Sequence, residues 1–311
     1  MKIFDAHQDI GANVLLVTGK NFFEHNALYE GHIRTKYRCV NQVDLPRLRK
    51  GNVKLVFAAI FARTKKQAVE QFHLYTEIIK NSKGAILPVL SRRDLQKIKG
   101  EKIGFLFHME GADPIEKPAD LDFFHALGLR SIGICWRTKN QYVGESALTK
   151  KGMELIKCIE SKRMILDLAH AHEKLFWNIL RHFHKRFIVS HTACKSLCPN
   201  RRNLSGDQIM EIITRRGLIG ICGVNLMLGG SSITNITDHM KYIAKKGGIH
   251  TLCFGSDFDG MVHPKIILVK GFEDVSCYPN VIRKLLQSFG NKEVCRKIAY
   301  GNLKEFIEYA L

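Results

Sequence analysis

The sequence predicts a (β/α)8 barrel, a closed sheet of eight parallel strands ringed by helices. Three observations carry this prediction. Eight short runs rich in Ile, Val, Leu and Phe recur along the 311 residues, continuous rather than alternating, as in strands buried on both faces. Segments with apolar residues at helical spacing fill most intervals between them, the alternation of a parallel sheet. Five of the runs end in His, Asp or Glu, which a core rejects and the open end of a barrel collects. A doubly wound sheet is the competing arrangement. One barrel domain over residues 1–311 is expected.

Strands are expected at 3–6, 53–62, 103–108, 129–135, 163–169, 187–190, 217–222 and 251–256. A ninth run, 85–90, stands too close to 103–108 to leave room for a full helix, and Pro88 lacks the N–H that a central strand needs. It is read as a short extra strand or a loop. Periodicity places helices at 67–80, 146–161, 173–183 and 235–246, with two more at about 278–289 and 291–310. Ser205, followed three residues later by Gln208, is a capping box opening a helix to about Arg216, which Gly217 is expected to stop. Residues 10–52 are too long for an ordinary connection. A long loop excursion folding over the catalytic mouth is expected there.

Lys and Arg number 48 against 29 Asp and Glu, a formal net charge of +19. Such an excess raises the question of an anionic partner. The densest basic groups, at 47–50, 97–99 and 245–246, sit beside helix patterns, and no C2H2 or RNP-like spacing is present. A solvated basic surface without a nucleic-acid partner is expected. Nine cysteines at irregular positions, several inside apolar runs, fit free thiols in a reducing compartment. Cys194 and Cys198 lie near His191, but no second pair completes a zinc site. The chain opens on a strand-like run with no signal-peptide pattern, and its apolar runs are far shorter than a membrane span. A cytoplasmic protein with no membrane partner follows as the expectation. A homodimer is the oligomer left open.

The polar strand ends carry the chemistry. His7 and Asp9 are two apart and share one face of a strand, so an imidazole and a carboxylate can reach one metal. Glu110 ends the third strand, where a carboxylate needs a partner or a metal, and its two oxygens can bridge a pair of ions. His108 shares its side and is a rival ligand or a supporting group. His170 closes Asp167-Leu-Ala-His170 and His191 closes Ser190-His191, two imidazoles suited to a second metal. His172, on the His170 side, is read as a loop or supporting residue. Asp257 and Asp259 share one parity in Gly255-Ser-Asp-Phe-Asp-Gly260. Asp257 is the better catalytic group, and Asp259 can anchor the turn. Arg201 and Arg202 offer a guanidinium to a carboxylate. Two close divalent ions point to hydrolysis, with Asp257 holding the attacking water, passing a proton to the leaving amine or binding a substrate ammonium.

These motifs together resemble the membrane dipeptidase, or renal dipeptidase, family (peptidase family M19), in its soluble bacterial branch. The likeness runs from Asp5-Ala-His-Gln-Asp9 to Gly301-Asn-Leu303. It is strongest over Leu166–Trp177, over Ser190–Leu204 and at Gly255-Ser-Asp-Phe-Asp-Gly260. The resemblance implies a (β/α)8 barrel with two zinc ions. It implies His7 and Asp9 on one ion, His170 and His191 on the other, and Glu110 bridging both. It further implies Arg202 at the substrate carboxylate and Asp257 at the catalytic centre. The family cleaves dipeptides, often with a D-residue at the C-terminal position. Two departures stand out. Ala6 replaces the usual Gly of the first motif. Cys135-Trp136-Arg137 stands where mammalian members carry a substrate-side histidine; the Trp136 indole can donate a hydrogen bond and Arg137 can supply charge.

The expected protein is thus a zinc-dependent dipeptidase acting on a small zwitterionic dipeptide. Two alternatives accompany it. One is a related binuclear amidohydrolase acting on a cyclic amide, lactone or N-acyl amino acid. The other is a non-enzymatic anion-binding barrel.

Overall fold

Eight parallel strands close into a barrel in a computed structural model that describes residues 1–31, 38–136, 139–260 and 267–311. They are β1 (Ile3–Gln8), β2 (Val53–Ile60), β3 (Ile103–Met109), β4 (Leu129–Gly133), β5 (Ile165–Asp167), β6 (Ile188–Thr192), β7 (Leu218–Ile221) and β8 (Leu252–Phe254). Each pairs with the next, and β1 pairs with both β2 and β8, which closes the ring. The run at 85–90 forms a short extra strand, Ile86–Pro88, on the first half of β3. It fits because β4 pairs only with the second half, from Phe107 onward.

The barrel interior is layered. Phe57, Leu106, Ile165, Ile188, Leu218 and Cys253 pack together low in the barrel, against Leu303 and Phe306 of the last helix. Two residues further along their strands stand His108, Asp167 and Ser190, all buried. The strand period of two keeps these on the same side as the apolar layer beneath them. The polar ends therefore rest on a dry floor at one end of the barrel.

The helices follow the periodicity, with Lys65–Asn81, Lys150–Ser161, Glu173–Leu180, Ile233–Lys245 and Tyr278–Phe289 in the expected intervals. The capping box of Ser205 and Gln208 opens Gly206–Thr214. That helix ends differently from expectation. Arg216, at φ +51°, takes the left-handed position assigned to Gly217. The last expected helix runs from Lys292 to Ala310, with a π turn at Lys297–Gly301 inside it. None of the described helices is long and apolar enough to cross a membrane.

The 10–52 segment contains short helical turns at Ile10–Thr18, a two-stranded antiparallel hairpin (Tyr29–Gly31 with Arg38–Val40) and a helix at Leu45–Lys50. Residues 32–37, inside the expected excursion, lie outside the described residues. Asp259, beyond β8, fastens this segment. Its carboxylate takes the Lys20 ammonium at 2.6 Å and the main-chain N–H groups of Gln42 and Val43 at 2.7 and 3.2 Å. Both side chains of the ion pair are fully buried. Lys20→Met keeps the stem but strands Asp259 without its counter-ion. It is expected to cost about 3 kcal/mol of unfolding free energy in a urea titration at pH 7. A loss below about 1 kcal/mol would show that the two main-chain donors suffice.

Candidate metal centre

His7, Asp9, Glu110, His170, His191 and Asp257 converge at the carboxyl ends of the strands. His7 Nε2 lies 3.4 Å from Asp9 Oδ2, 3.7 Å from Glu110 Oε1 and 3.8 Å from Asp257 Oδ1. His170 Nε2 lies 2.7 Å from the same Glu110 oxygen and 3.0 Å from His191 Nε2. Among the described residues four trios have ligand atoms within 4.8 Å of one another, and Glu110 belongs to two of them, with His7 and Asp9 and with His170 and His191; the others are His7, His191 and Asp257, and His7, His108 and Asp167.

Local backbone aims these groups. Asp9 directly follows β1 and stands at the N-cap position of the short helix Ile10–Ala12 without a side-chain capping bond, which leaves its carboxylate to the site. His170 and Asp257 have φ of +70° and +64°. Side chains rarely adopt that left-handed region, and it costs of order 1–3 kcal/mol per residue. The turn swings each side chain off its strand direction and into the mouth. Gly260 is needed for space, since a Cβ there would stand 2.2 Å from Asp9 Oδ2.

Two Asp–Ser clamps hold the bearing strands together. Asp5 takes the N–H and hydroxyl of Ser256 on its two oxygens, and Asp167 takes those of Ser190 in the same way. Each serine directly precedes a site residue, Asp257 or His191. Asp5 also accepts the Tyr278 hydroxyl at 2.7 Å, so it braces the first motif rather than joining the cluster.

The other residues singled out in the sequence divide. His108 lies below the cluster, with Nδ1 2.9 Å from Ser131 Oγ and Nε2 3.3 Å from Asp167, so it supports the site from beneath. His172 caps the helix Glu173–Leu180 and reaches the Glu145 carbonyl at 2.6 Å. Asp259 anchors the excursion. Arg202 enters the site with Nη2 3.0 Å from His191 Nε2, while Arg201 is exposed. Both arginines line a cavity of about 420 Å³ beside His170. The Trp136 ring lies 5.9 Å from His170 and 4.7 Å from Phe61, an aromatic wall on that side. Arg137 lies outside the described residues. Cys194 and Cys198 turn to different carbonyls, of His239 and Leu226, and all eight cysteines with described side chains are free thiols. Asp167, Ser131, Lys20 and Phe61 were given no role from the sequence. Of these only Asp167 carried a signal, a charged residue inside an apolar run.

The donor set fits divalent metal ions. Three imidazoles and two carboxylates of mixed N and O character suit zinc and its neighbours. His7 Nδ1 and Nε2 and Asp9 Oδ1 are buried with no hydrogen-bond partner, a cost that a cation would remove. Burial, reinforced by the Asp9 carboxylate, holds Glu110 well above the usual carboxylate range. Burial disfavours the His7 cation, but Asp9, Glu110 and Asp257 together outweigh it and push His7 up to about 10. Burial, with Arg202 and His7 nearby, keeps His170 and His191 neutral.

Without metal, His7 thus holds at pH 7 a proton that a metal must displace, while His170 and His191 are already neutral. Zinc titration calorimetry in buffers of different ionisation heat is expected to show net proton release at pH 7, with affinity rising between pH 6 and 9. Affinity independent of pH across that range would contradict this.

The chain matches the family Membrane dipeptidase (Peptidase family M19) over residues 1–309. A dipeptidase of Aspergillus oryzae, aclJ, is 26% identical over 309 residues, covering 89% of this chain and 71% of the relative. A Klebsiella pneumoniae protein encoded in the pqqA 5' region is 29% identical over 254 residues, covering 75% and 92%. The fold matches that of a Rhodobacter sphaeroides metallopeptidase liganded with a phosphinate mimic of L-Ala-D-Ala. The TM-score is 0.84 at 20% identity, over 100% of this chain and 99% of that one. Metal-type clusters at the barrel mouth and a family match along nearly the whole sequence lead to one assignment: the chain belongs to peptidase family M19, the membrane dipeptidase family, and is a metal-dependent hydrolase.

Proposed function

We propose that this protein is a cytoplasmic zinc dipeptidase that hydrolyses free dipeptides, including those with a D-residue at the C-terminal position. The observation that carries the proposal is that one carboxylate, Glu110, is shared by the His7–Asp9 and His170–His191 trios, the arrangement a two-ion hydrolase needs. His7 and Asp9 would hold one ion, His170 and His191 the other, and Glu110 both. Two such ions would supply a polarised carbonyl and a water acidic enough to attack at neutral pH.

The chain's own residues do the rest. Asp257 is pushed up to about 7, by burial and the Asp9 carboxylate against the opposing charges of His7 and Arg202. A carboxylate poised there can take a proton from the attacking water and return it to the leaving amine as the C–N bond breaks. Arg202 would receive the substrate carboxylate. Trp136 and Phe61 would wall the pocket, the indole N–H offering a neutral donor where a histidine would offer charge. A carboxylate at one end and a guanidinium at the other suit a zwitterion two residues long. The dipeptide mimic bound by the Rhodobacter sphaeroides enzyme supports the same substrate class.

The test pairs metal content with a substrate panel on one preparation. Two zinc ions per chain, and turnover of L,L- or L,D-dipeptides ahead of N-acyl amino acids, cyclic amides and lactones, are expected. Preference for an acyl amino acid or a ring substrate would make it an amidohydrolase of another class. Turnover unchanged by metal removal would overturn the mechanism.

A further inference from the structure

We propose that Asp167 and Ser190 are positioning residues that hold His191 in the tautomer a metal ligand requires. The proposal rests on His191 being a ligand, as above, and goes beyond it by naming what orients that ligand. Ser190 Oγ touches both Asp167 Oδ2 and, at 2.9 Å, His191 Nδ1. Burial pushes the Asp167 carboxyl up, but the two main-chain N–H groups on its Oδ1 favour the ionised form, and an ionised carboxylate only accepts, so the serine hydrogen points to Asp167. The serine oxygen then has only lone pairs left for His191. The proton of His191 must therefore sit on Nδ1, which leaves the Nε2 lone pair facing Arg202 Nη2 and His170 Nε2, each 3.0 Å away, and Glu110, 3.5 Å away. Asp167, Ser190 and His191 are 2%, 0% and 1% exposed, so water cannot replace any link.

The carboxylate cannot turn. Its Oδ1 receives the main-chain N–H groups of Ala169 and Ser190 at 2.9 and 3.0 Å. His170 reaches the same state more simply, through a hydrogen bond with the Trp136 main chain. The Asp5–Ser256 clamp repeats the strand fastening, and the Asp167 pair adds to it His191 through Ser190 and His108, whose Nε2 lies 3.3 Å from Asp167 Oδ2.

This geometry separates positioning from mere support. In Asp167→Asn the two main-chain donors hold the amide oxygen at the Oδ1 place. The NH2 group then stands where Oδ2 was and donates to Ser190. The serine hydroxyl turns and donates to His191 Nδ1, forcing the proton onto Nε2. Ser190→Ala removes the relay but imposes no wrong tautomer. Asp167→Asn, the gentler change in shape, is therefore expected to be the worse variant. It should weaken the second zinc ion about 10- to 100-fold and leave about one ion per chain, with Ser190→Ala clearly milder. Zinc affinity by chelator competition, with circular dichroism to certify folding, reads this directly. An equal or greater loss in folded Ser190→Ala would overturn the proposal. Nitrogen-15 NMR of wild-type His191 without metal decides it even if the Asn variant does not fold: an Nδ1–H tautomer is expected, and an Nε2–H tautomer overturns it. Because that signal needs neither metal nor substrate, its failure is distinct from failure of the dipeptidase assignment.

Discussion

Glu110→Gln is expected to remove both metal ions and nearly all turnover. Glu110 Oε1 lies 2.7 Å from His170, 3.5 Å from His191 and 3.7 Å from His7, so it is the group shared by the two trios. Losing His7 or His191 alone should cost mainly one ion. Losing the shared carboxylate should cost both, and kcat/KM should fall by more than the about 10- to 100-fold seen when an outer partner of a metal ligand is removed. Zinc per chain, measured beside dipeptide hydrolysis, reads both effects. Two ions retained, with activity within tenfold of wild type, would rule out a bridging role.

The same substitution is expected to stabilise the metal-free protein at alkaline pH. Burial raises the folded-state pKa of Glu110 above its unfolded value. The folded state therefore holds the proton more tightly, and stability falls as pH rises from the unfolded pKa through the folded one. Glutamine has no charge to bury. The melting temperature of metal-free Glu110→Gln should exceed that of metal-free wild type at pH 8 and approach it near pH 4. Function and stability oppose each other at this residue, as they do at the left-handed His170 and Asp257.

Much of this site was legible because strands simplify prediction. Period two placed His7 with Asp9 and His108 with Glu110, and continuous apolar runs marked all eight barrel strands. Parity could not give height. His108 and Glu110 do face the same interior, but His108 lies one layer lower, against Asp167 and Ser131. Nor could it give the turn at the strand end. Asp257 and Asp259 share a parity, yet one faces His7 and the other Lys20, because both are left-handed and lie beyond β8, which ends at Phe254. The Asp–Ser clamps were hidden for a different reason. Their partners lie on neighbouring strands, 251 and 23 residues apart, and only pairing register brings them together. The short helices Arg92–Leu95, Asp120–Ala126 and Asn225–Leu228 were missed because one or two turns give too little periodicity.

Arg202→Ala should separate free from C-terminally amidated dipeptides. The loop bearing Arg202 is fixed at its main chain, the N–H donating to Asn200 Oδ1 at 2.9 Å and the carbonyl accepting from Thr192 at 3.0 Å. Its guanidinium reaches His191, while its Nε is buried with no partner. A planar cation with a spare buried donor, beside a cavity of about 420 Å³, is built to take a carboxylate. Hydrogen bonds to charged groups contribute about 1.5–3 kcal/mol, or roughly 10- to 100-fold. For a free dipeptide, that loss should appear mainly as a higher KM. An amidated dipeptide lacks the carboxylate and should change little. Arg202→Lys should recover only part of the difference, because an ammonium keeps the charge but not the fork. Arg201→Ala, at the exposed neighbour, should leave the ratio of the two substrates as it is. If Arg202→Ala weakens both substrates equally, the residue serves the metal centre through His191, and the substrate carboxylate is held elsewhere.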